Sequence, residues 1–479
     1  MKVRTAMVLV GLLAFGFGLL ALPARATYGA RTTADEPQYL LSALSLWEDL
    51  DLDITDELAA ERWRDFHEAR LPVQTEPNAD GRAVSPHDPL LPVLLAVPVG
   101  LLGWEGAKLT LAALAGLLAV ALVWTAHRRF AVPVRTAALV VGAAAVCPPF
   151  AAYAAQVYPE LPAALAVTVA AAAVTGPLER RGRVVLLLAV AALPWLAVKY
   201  VPVAATLAAI GGWRLLRRGD RSALVSTAAA SVALGLVYVV AHRLLYGGWT
   251  VYAAGDHFVN GELDVVGFAP DYAGRSRRIL GLLVDREFGL LRWAPLWALA
   301  VPAFAAVARR RPPGALALAL PLAAGWATAT WVALTMHGWW WPGRQVVVVL
   351  PLAVLTVAWW AAQVPWVAHL ATLLGAVGAF LWLWLLHDVV VADDHRLVID
   401  FGGTTNPVSQ LWRLALPELR TPLRSDWARY AGWLVALAGA AVFGWRSVTP
   451  TAPADPSTFS RHPVSEDHQS ERNPLDVPA

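Results

Sequence analysis

Two adjacent carboxylates, Asp35 and Glu36, stand shortly after the first apolar run of the chain, in "TTADEPQYLLSALSLWEDLDLD" (32–53). An acid at a membrane edge is costly, so it is a functional candidate by default. Its natural chemistry is that of a general base. Pro37 follows and suits the first position of a helix. Leu40, Leu44, Trp47 and, less strictly, Leu41 then fall on one side at helical spacing. That pattern predicts an amphipathic helix lying on the membrane surface with the two acids at its head. The plainer alternative is an acid that caps the helix and complements its dipole.

Other residues of the same chemical kind recur along the chain. His87-Asp88 in "SPHDPLLP" is placed to orient a substrate or to cap the next helix. "AAQVYPELPAAL" (154–165) carries Tyr158 and Glu160; an acid heading a span again suits the helix dipole. Lys199, in "LPWLAVKYVPVA", is the only lysine after Lys108 and can hold a phosphate or snorkel to the interface. "LLVDREFGLLRWAP" brings Asp285, Arg286 and Glu287, preceded by Arg275, Arg277 and Arg278. "TMHGWWWPGRQ" packs His337, Trp339, Trp340, Trp341 and Arg344 into one turn. Tryptophan there anchors at the interface or stacks on a sugar, and arginine binds phosphate bidentately. No His/Cys cluster has metal-ligand spacing, and no Gly-rich nucleotide cradle occurs, so neither metal nor cofactor is expected.

The elements that must position these residues are membrane helices. The 479 residues are 58% hydrophobic and 15% charged, with a mean hydropathy of +0.53. A soluble domain carries about 25% charged residues, so this chain lacks the polar surface to live in water. Its apolar runs are continuous rather than alternating, which predicts an all-α polytopic membrane protein and excludes a barrel. About twelve spans are expected: 6–22, 107–126, 134–150, 160–175, 184–197, 200–213, 222–245, 291–308, 314–335, 345–361, 364–386 and 430–445. The run 88–104 is shorter and proline-broken, so it reads as an interfacial or re-entrant helix. Cys147, the single cysteine, excludes an internal disulfide and reads as a packing residue.

Arginines orient the chain. The short loops 127–135, 178–183, 214–221 and 309–314 are basic and should be cytoplasmic, with both termini. Segments 31–88, 246–290, 388–429 and the turn 336–345 then lie outside. Segment 31–88 holds fourteen Asp and Glu against five Arg. "LPARA" resembles a signal-peptide cleavage site, but an uncleaved anchor is expected because the acidic pair follows so closely. The tail 446–479, rich in Pro, Ser and charge, should be disordered. Residues 1–390 form one module with a large first extracytoplasmic loop, and 391–445 a short outer segment with the last span.

The ordered set "ADEPQYLLSALSLWED", "PHDPLLPVLLAVP", "QVYPELPAA", "LPWLAVKYVP", "DREFGLLRWAP" and "WWWPGRQ" resembles the GT-C class of polytopic glycosyltransferases. That class includes the protein O-mannosyltransferases and the lipid A aminoarabinose transferases. The resemblance implies a sugar donor carried on a polyprenyl phosphate and used on the extracytoplasmic face of the plasma membrane. The catalytic acid of the class maps onto Asp35. Glu36 and His87 would orient it, and Lys199 and Arg344 would clamp the donor phosphate. Tyr39, Tyr158, Glu160, Asp285, Glu287, His337 and Trp340 would line the substrate site. The acceptor would be an envelope glycan, glycolipid or protein, never a nucleic acid, and transfer would invert the anomeric centre. Two departures stand out: Ala34 replaces a glycine that many relatives carry, and Leu196 and Ala197 stand where many carry a histidine. The large soluble C-terminal domain of some members has no counterpart. A transporter or lipid flippase of envelope precursors is the competing expectation, although no internal repeat accompanies the twelve spans.

Overall fold

The computed structural model describes residues 1–449 except 73, 76, 79, 256–266 and 268. The expected disordered tail therefore lies outside the described residues from 450 onward. Nineteen α-helices follow one another among the described residues. They are α1 (Val3–Leu20), α2 (Glu36–Glu48), α3 (Thr55–Ala59), α4 (Leu90–Phe130), α5 (Val134–Ala145), α6 (Phe150–Tyr153) and α7 (Glu160–Val174). Then come α8 (Arg180–Leu196), α9 (Val201–Arg217), α10 (Arg221–Tyr246), α11 (Tyr272–Arg275), α12 (Arg278–Val284) and α13 (Leu290–Trp293). The last are α14 (Ala300–Arg310), α15 (Ala315–Ala327), α16 (Leu350–Gln363), α17 (Trp366–Leu386), α18 (Pro407–Arg413) and α19 (Arg424–Arg446). No strand forms among the described residues; extended pairing is limited to isolated bridges such as Asp53 with Val84.

Every apolar run read from the sequence falls on a helix, but the runs differ in length. Six helices among the described residues are long and apolar enough to cross a membrane, which makes the chain a multi-pass membrane protein. Two shorter apolar helices, α5 and α7, are bounded by proline. Pro133 precedes α5 and Pro148–Pro149 follows it, while Pro159 precedes α7. Each proline lacks the N–H that a continuing helix needs. Run 88–104 joins the following span in one 41-residue helix, α4, bent at Gly103 (φ 62°, ψ −152°). That backbone region is open essentially to glycine alone, so the proline-rich rod and the span proper are separate segments meeting at one residue.

Small residues let the helices approach closely. A Cβ on Gly11 of α1 would meet Val120 at 2.8 Å and the Gly116 carbonyl of α4 at 3.3 Å. Membrane helices, which gain nothing from hydrophobic burial in lipid, associate through such contacts. Cys147 packs the same way, its Sγ donating to the Ala143 and Gly375 carbonyls at 3.0 and 3.2 Å.

The basic turns gather at one end. Arg214 donates to the carbonyls of Val174 and Gly176, Gly314 lies against Thr175 and Phe130, and Arg309 donates to Val448. The opposite ends of α7, α8 and α9 carry Glu160, Leu196 and Val201, next to Lys199. The bundle is thus polarised, with arginine at one end and the chemistry-bearing side chains at the other.

One expectation about α2 is corrected. Its apolar side does not lie open on a membrane surface. Residues from Glu36 to Ala43 are all buried, and the Trp47 indole sits where a Cβ of Gly100 on α4 would be. The first half of the helix is wrapped into the protein, with Leu40 and Leu41 fully buried, whereas Leu44 is half-buried and Trp47 keeps an exposed edge.

Candidate active site

The left-handed Ala34 (φ 48°) turns the chain into α2. Glycine adopts that conformation without strain, whereas an L-residue pays about 1–2 kcal/mol. Ala34 therefore marks a strained turn immediately before the acidic pair.

The two acids have different environments. Glu36 is wholly buried; Oε1 accepts from the Thr33 N–H at 3.1 Å and Oε2 from the Val157 N–H at 2.8 Å. Burial pushes its carboxyl up to about 7 against the pull of nearby Lys108 and these two bonds. Glu36 staples the Asp35 turn to the chain before α7 and does not line the cavity described below.

Asp35 stands at the N-cap of α2 but its side chain caps nothing. It is held instead by the Arg344 guanidinium, a short Nη2 to Oδ2 contact. Burial favours the neutral acid, but Arg344 and, less strongly, His87 and Lys199 overcome it and hold Asp35 well below the usual carboxylate range.

Arg344 also donates Nε to Glu160 Oε1 at 3.0 Å, and the same oxygen takes Lys199 Nζ at 2.8 Å. Glu160 is wholly buried and its second oxygen has no protein partner. The guanidinium lies 4.2 Å from the Tyr158 ring centre and 5.0 Å from that of Trp340, a two-sided cation–π arrangement. One carboxylate thus sets two cations beside one another. The 336–345 turn is docked onto the Asp35 segment, Thr33 Oγ1 donating to the Trp339 carbonyl at 3.1 Å and Tyr153 to that of Trp341 at 2.8 Å. The three tryptophans part company. Trp339 and Trp340 both border the cavity, Trp339 largely exposed, and Trp341 is buried among Trp293, Trp382 and Phe401.

These groups border a cavity of about 1300 Å³. Asp35, Tyr39, His87, Lys199, Trp340 and Arg344 line its polar end, and Val201, Pro202, Val251, Val332 and Leu334 its apolar walls. Tyr158 and Glu160 stand behind Arg344. The imidazole of His87 rests on Tyr39, ring centres 4.7 Å apart, and bonds Gln74 Oε1 at 2.9 Å. The Gln74 amide donates to the Ala34 carbonyl at 3.2 Å and faces Asp35 Oδ1 at 3.5 Å. Burial keeps His87 below its ordinary range against the pull of Asp35.

Several participants escaped sequence reasoning. Gln74 sits in a loop without periodicity and gave no signal. Asp88, read with His87 as able to orient a substrate or to cap the next helix, lines the cavity and accepts from the Val198 N–H (2.9 Å), Tyr238 Oη (3.1 Å) and His242 Nε2 (3.0 Å). It ties the Lys199 turn to α10. Tyr238, His242 and Tyr246 recur every four residues in an otherwise apolar helix, a polar stripe that could have been read.

Asp285, Glu287 and His337 do not line the cavity. Asp285 Oδ1 accepts from the N–H groups of Glu287 (3.0 Å) and Phe288 (2.8 Å), and Oδ2 from that of Leu419 (3.1 Å). Glu287 pairs with Arg413 at 2.7 Å, and His337 Nε2 lies 3.6 Å from Asp285. Among the described residues, two groups of three bring possible metal-ligand atoms within 4.8 Å of one another, Asp285 with His337 and Glu418, and Asp49 with Asp56 and Glu57. In the first, both Asp285 oxygens already hold the loop backbone.

No protein-family model and no curated protein match the sequence. Among solved structures, this chain is similar to the crystal structure of ArnT from Cupriavidus metallidurans bound to undecaprenyl phosphate, at 14% identity and a TM-score of 0.46, over 92% of this chain and 77% of that one.

Proposed function

We propose that this chain is a GT-C-type membrane glycosyltransferase. It moves a sugar from a polyprenyl-phosphate donor to a cell-envelope acceptor on the extracytoplasmic face, with Asp35 as general base. One observation carries this reading. One cavity is lined by the adjacent Asp35, Arg344 and Lys199 together with apolar side chains such as Val201, Val251, Val332 and Leu334. A donor made of a charged phosphate between a polar sugar and a hydrocarbon chain has that same polarity.

In the mechanism, the acceptor hydroxyl oxygen bonds to the anomeric carbon as the bond from that carbon to the phosphate oxygen breaks. Asp35 takes the hydroxyl proton, and polyprenyl phosphate leaves. Lys199 and Arg344 stabilise the negative charge that grows on it, an electrostatic role suited to a site walled from water. At rest the two cations are matched by Asp35 and Glu160. Arg344 therefore holds the base in its weakest state until a phosphate draws the guanidinium away. Donor binding and activation of Asp35 are then one event. Glu36 acts from behind, fixing the turn, and His87, on the cavity wall, orients the Asp35 environment through Gln74. The arginine-rich end faces the cytoplasm with both termini by the positive-inside rule.

The test compares envelope glycans and lipid-linked sugars by mass spectrometry. The strains are a deletion and the deletion carrying wild type or Asp35→Asn at matched expression. The expected outcome is loss of one sugar residue from a glycan, accumulation of its polyprenyl-phosphate donor, and rescue by wild type alone. Full rescue by Asp35→Asn would overturn the assignment and favour a transporter of envelope precursors.

A further inference from the structure

At the end of α2 remote from Asp35, six acids crowd into "EDLDLDITDE" (48–57). Three of them are committed to the loop. Glu48 is held by Arg62 through two bonds of 2.7 and 2.8 Å. Asp51 Oδ1 accepts from Ser45 Oγ and from the Asp53 N–H, both at 2.9 Å. Asp53 Oδ1 accepts from the N–H groups of Thr55 and Ala83, both at 3.1 Å.

Asp49, Asp56 and Glu57 are arranged differently. One carboxylate oxygen of each lies within 4.8 Å of the other two. Asp49 and Asp56 are exposed, whereas Glu57 is only 1% exposed and neither of its carboxylate oxygens has a hydrogen-bond partner. A buried carboxylate without a donor is costly, and buried polar atoms of native proteins are nearly always satisfied. The α2 C-terminus, whose last carbonyls carry the negative end of the helix dipole, adjoins the same spot, at Asp49. Three acids and a negative helix end converge, and the nearby cation, Arg62, is spent on Glu48, so the three describe a ligand set.

We propose that Asp49, Asp56 and Glu57 bind a hard divalent cation, Ca²⁺. The ligands are all oxygens, which selects Ca²⁺ or Mg²⁺ over zinc and the later transition metals. Three carboxylates exceed the one or two that Mg²⁺ commonly takes, and an irregular loop suits the flexible coordination of Ca²⁺. The exposed pair gives the ion its way in, water fills the remaining positions, and Glu57 closes the site from the protein side. The ion ties the end of α2 to α3. None of the three residues lines the cavity, so the site is independent of the proposed transferase reading.

The test uses the full chain in lipid nanodiscs, stripped with EDTA and titrated with CaCl₂ by equilibrium dialysis against ⁴⁵Ca²⁺, with thermal unfolding followed in parallel. Wild type, Glu57→Gln and the double variant Asp49→Asn/Asp56→Asn are compared. The double variant changes only exposed side chains and so folds even if Glu57→Gln does not. Wild type is expected to bind one Ca²⁺ with a Kd of roughly 0.1–1 mM, the range of extracellular modules. Each variant is expected to bind at least about tenfold more weakly and to lose the Ca²⁺-dependent rise in Tm, a change a decade in affinity makes readable. Absence of saturable binding in wild type, or equal binding in wild type and the double variant, would overturn the proposal and leave Glu57 a buried, protonated acid.

Discussion

Two acidic clusters at the same end of the bundle have similar residues and opposite economies of hydrogen bonding. Around Asp35, carboxylates meet side-chain cations that face a cavity. Around Asp285, the carboxylate oxygens are consumed by three backbone N–H groups, and Glu287 is taken by Arg413. The first arrangement keeps exchangeable partners, because a substrate phosphate can replace a carboxylate on an arginine. The second fixes a loop, because a backbone N–H has nowhere else to go. Residue type does not separate Asp35 from Asp285; the donor does, side-chain cation against backbone N–H, and Glu287 differs from Asp35 in lying off the cavity.

That contrast can be broken most directly at Asp35. Asp35→Asn is expected to lower kcat about 100- to 10,000-fold, the span of a lost general base, while Glu287→Gln stays near wild type. A purified-enzyme assay with a polyprenyl-phosphate sugar measures both, and comparable losses would erase the distinction. Glu160→Gln comes next. With its two cations no longer held side by side, kcat/KM should fall about 100-fold, as for other small misplacements of a catalytic group. Arg344→Gln sharpens the comparison through pH. Arg344 lowers the Asp35 pKa, so removing it raises that pKa, and the base becomes protonated at higher pH. The acid limb of kcat/KM in the residual activity should therefore move to higher pH, and an unmoved limb would take Asp35 out of the role of base. Asp285→Asn, in the loop-holding cluster, should cost about 1–3 kcal/mol of stability because one N–H then faces an amide donor. Its activity per folded molecule should not change. The smallest effect is at Ala34→Gly, which removes left-handed strain and should stabilise by up to about 1 kcal/mol, visible as a small rise in Tm.

Much of this was legible in the residues because membranes constrain sequence strongly. Continuous apolar runs located the helices, and arginines located one end of the bundle. Prolines were legible too, although their effect on helix length emerges only in three dimensions: α5 stops at Ala145, short of the end of the run 134–150, which contains Pro148 and Pro149. Residue chemistry singled out Asp35, Lys199 and Arg344, yet nothing in their spacing announced that Glu160 would hold both cations. A long-range pairing leaves no local periodicity. The same gap explains why Glu287 and His337 looked equivalent to His87, and why Gln74 was missed. Leu40, Leu41 and Leu44 show the reverse failure, since an amphipathic pattern states that a face is apolar without saying whether lipid or protein covers it.

Asp35 and Arg344 are 309 residues apart in the chain. At about 5–20 residues per second, a ribosome needs roughly 15 to 60 s to travel from one to the other. Throughout that interval the nascent chain has its acid but not the arginine that holds it. Assembly of the site is thus one of the last events of biosynthesis, and a product truncated before residue 344 carries the first loop intact without the means to use it.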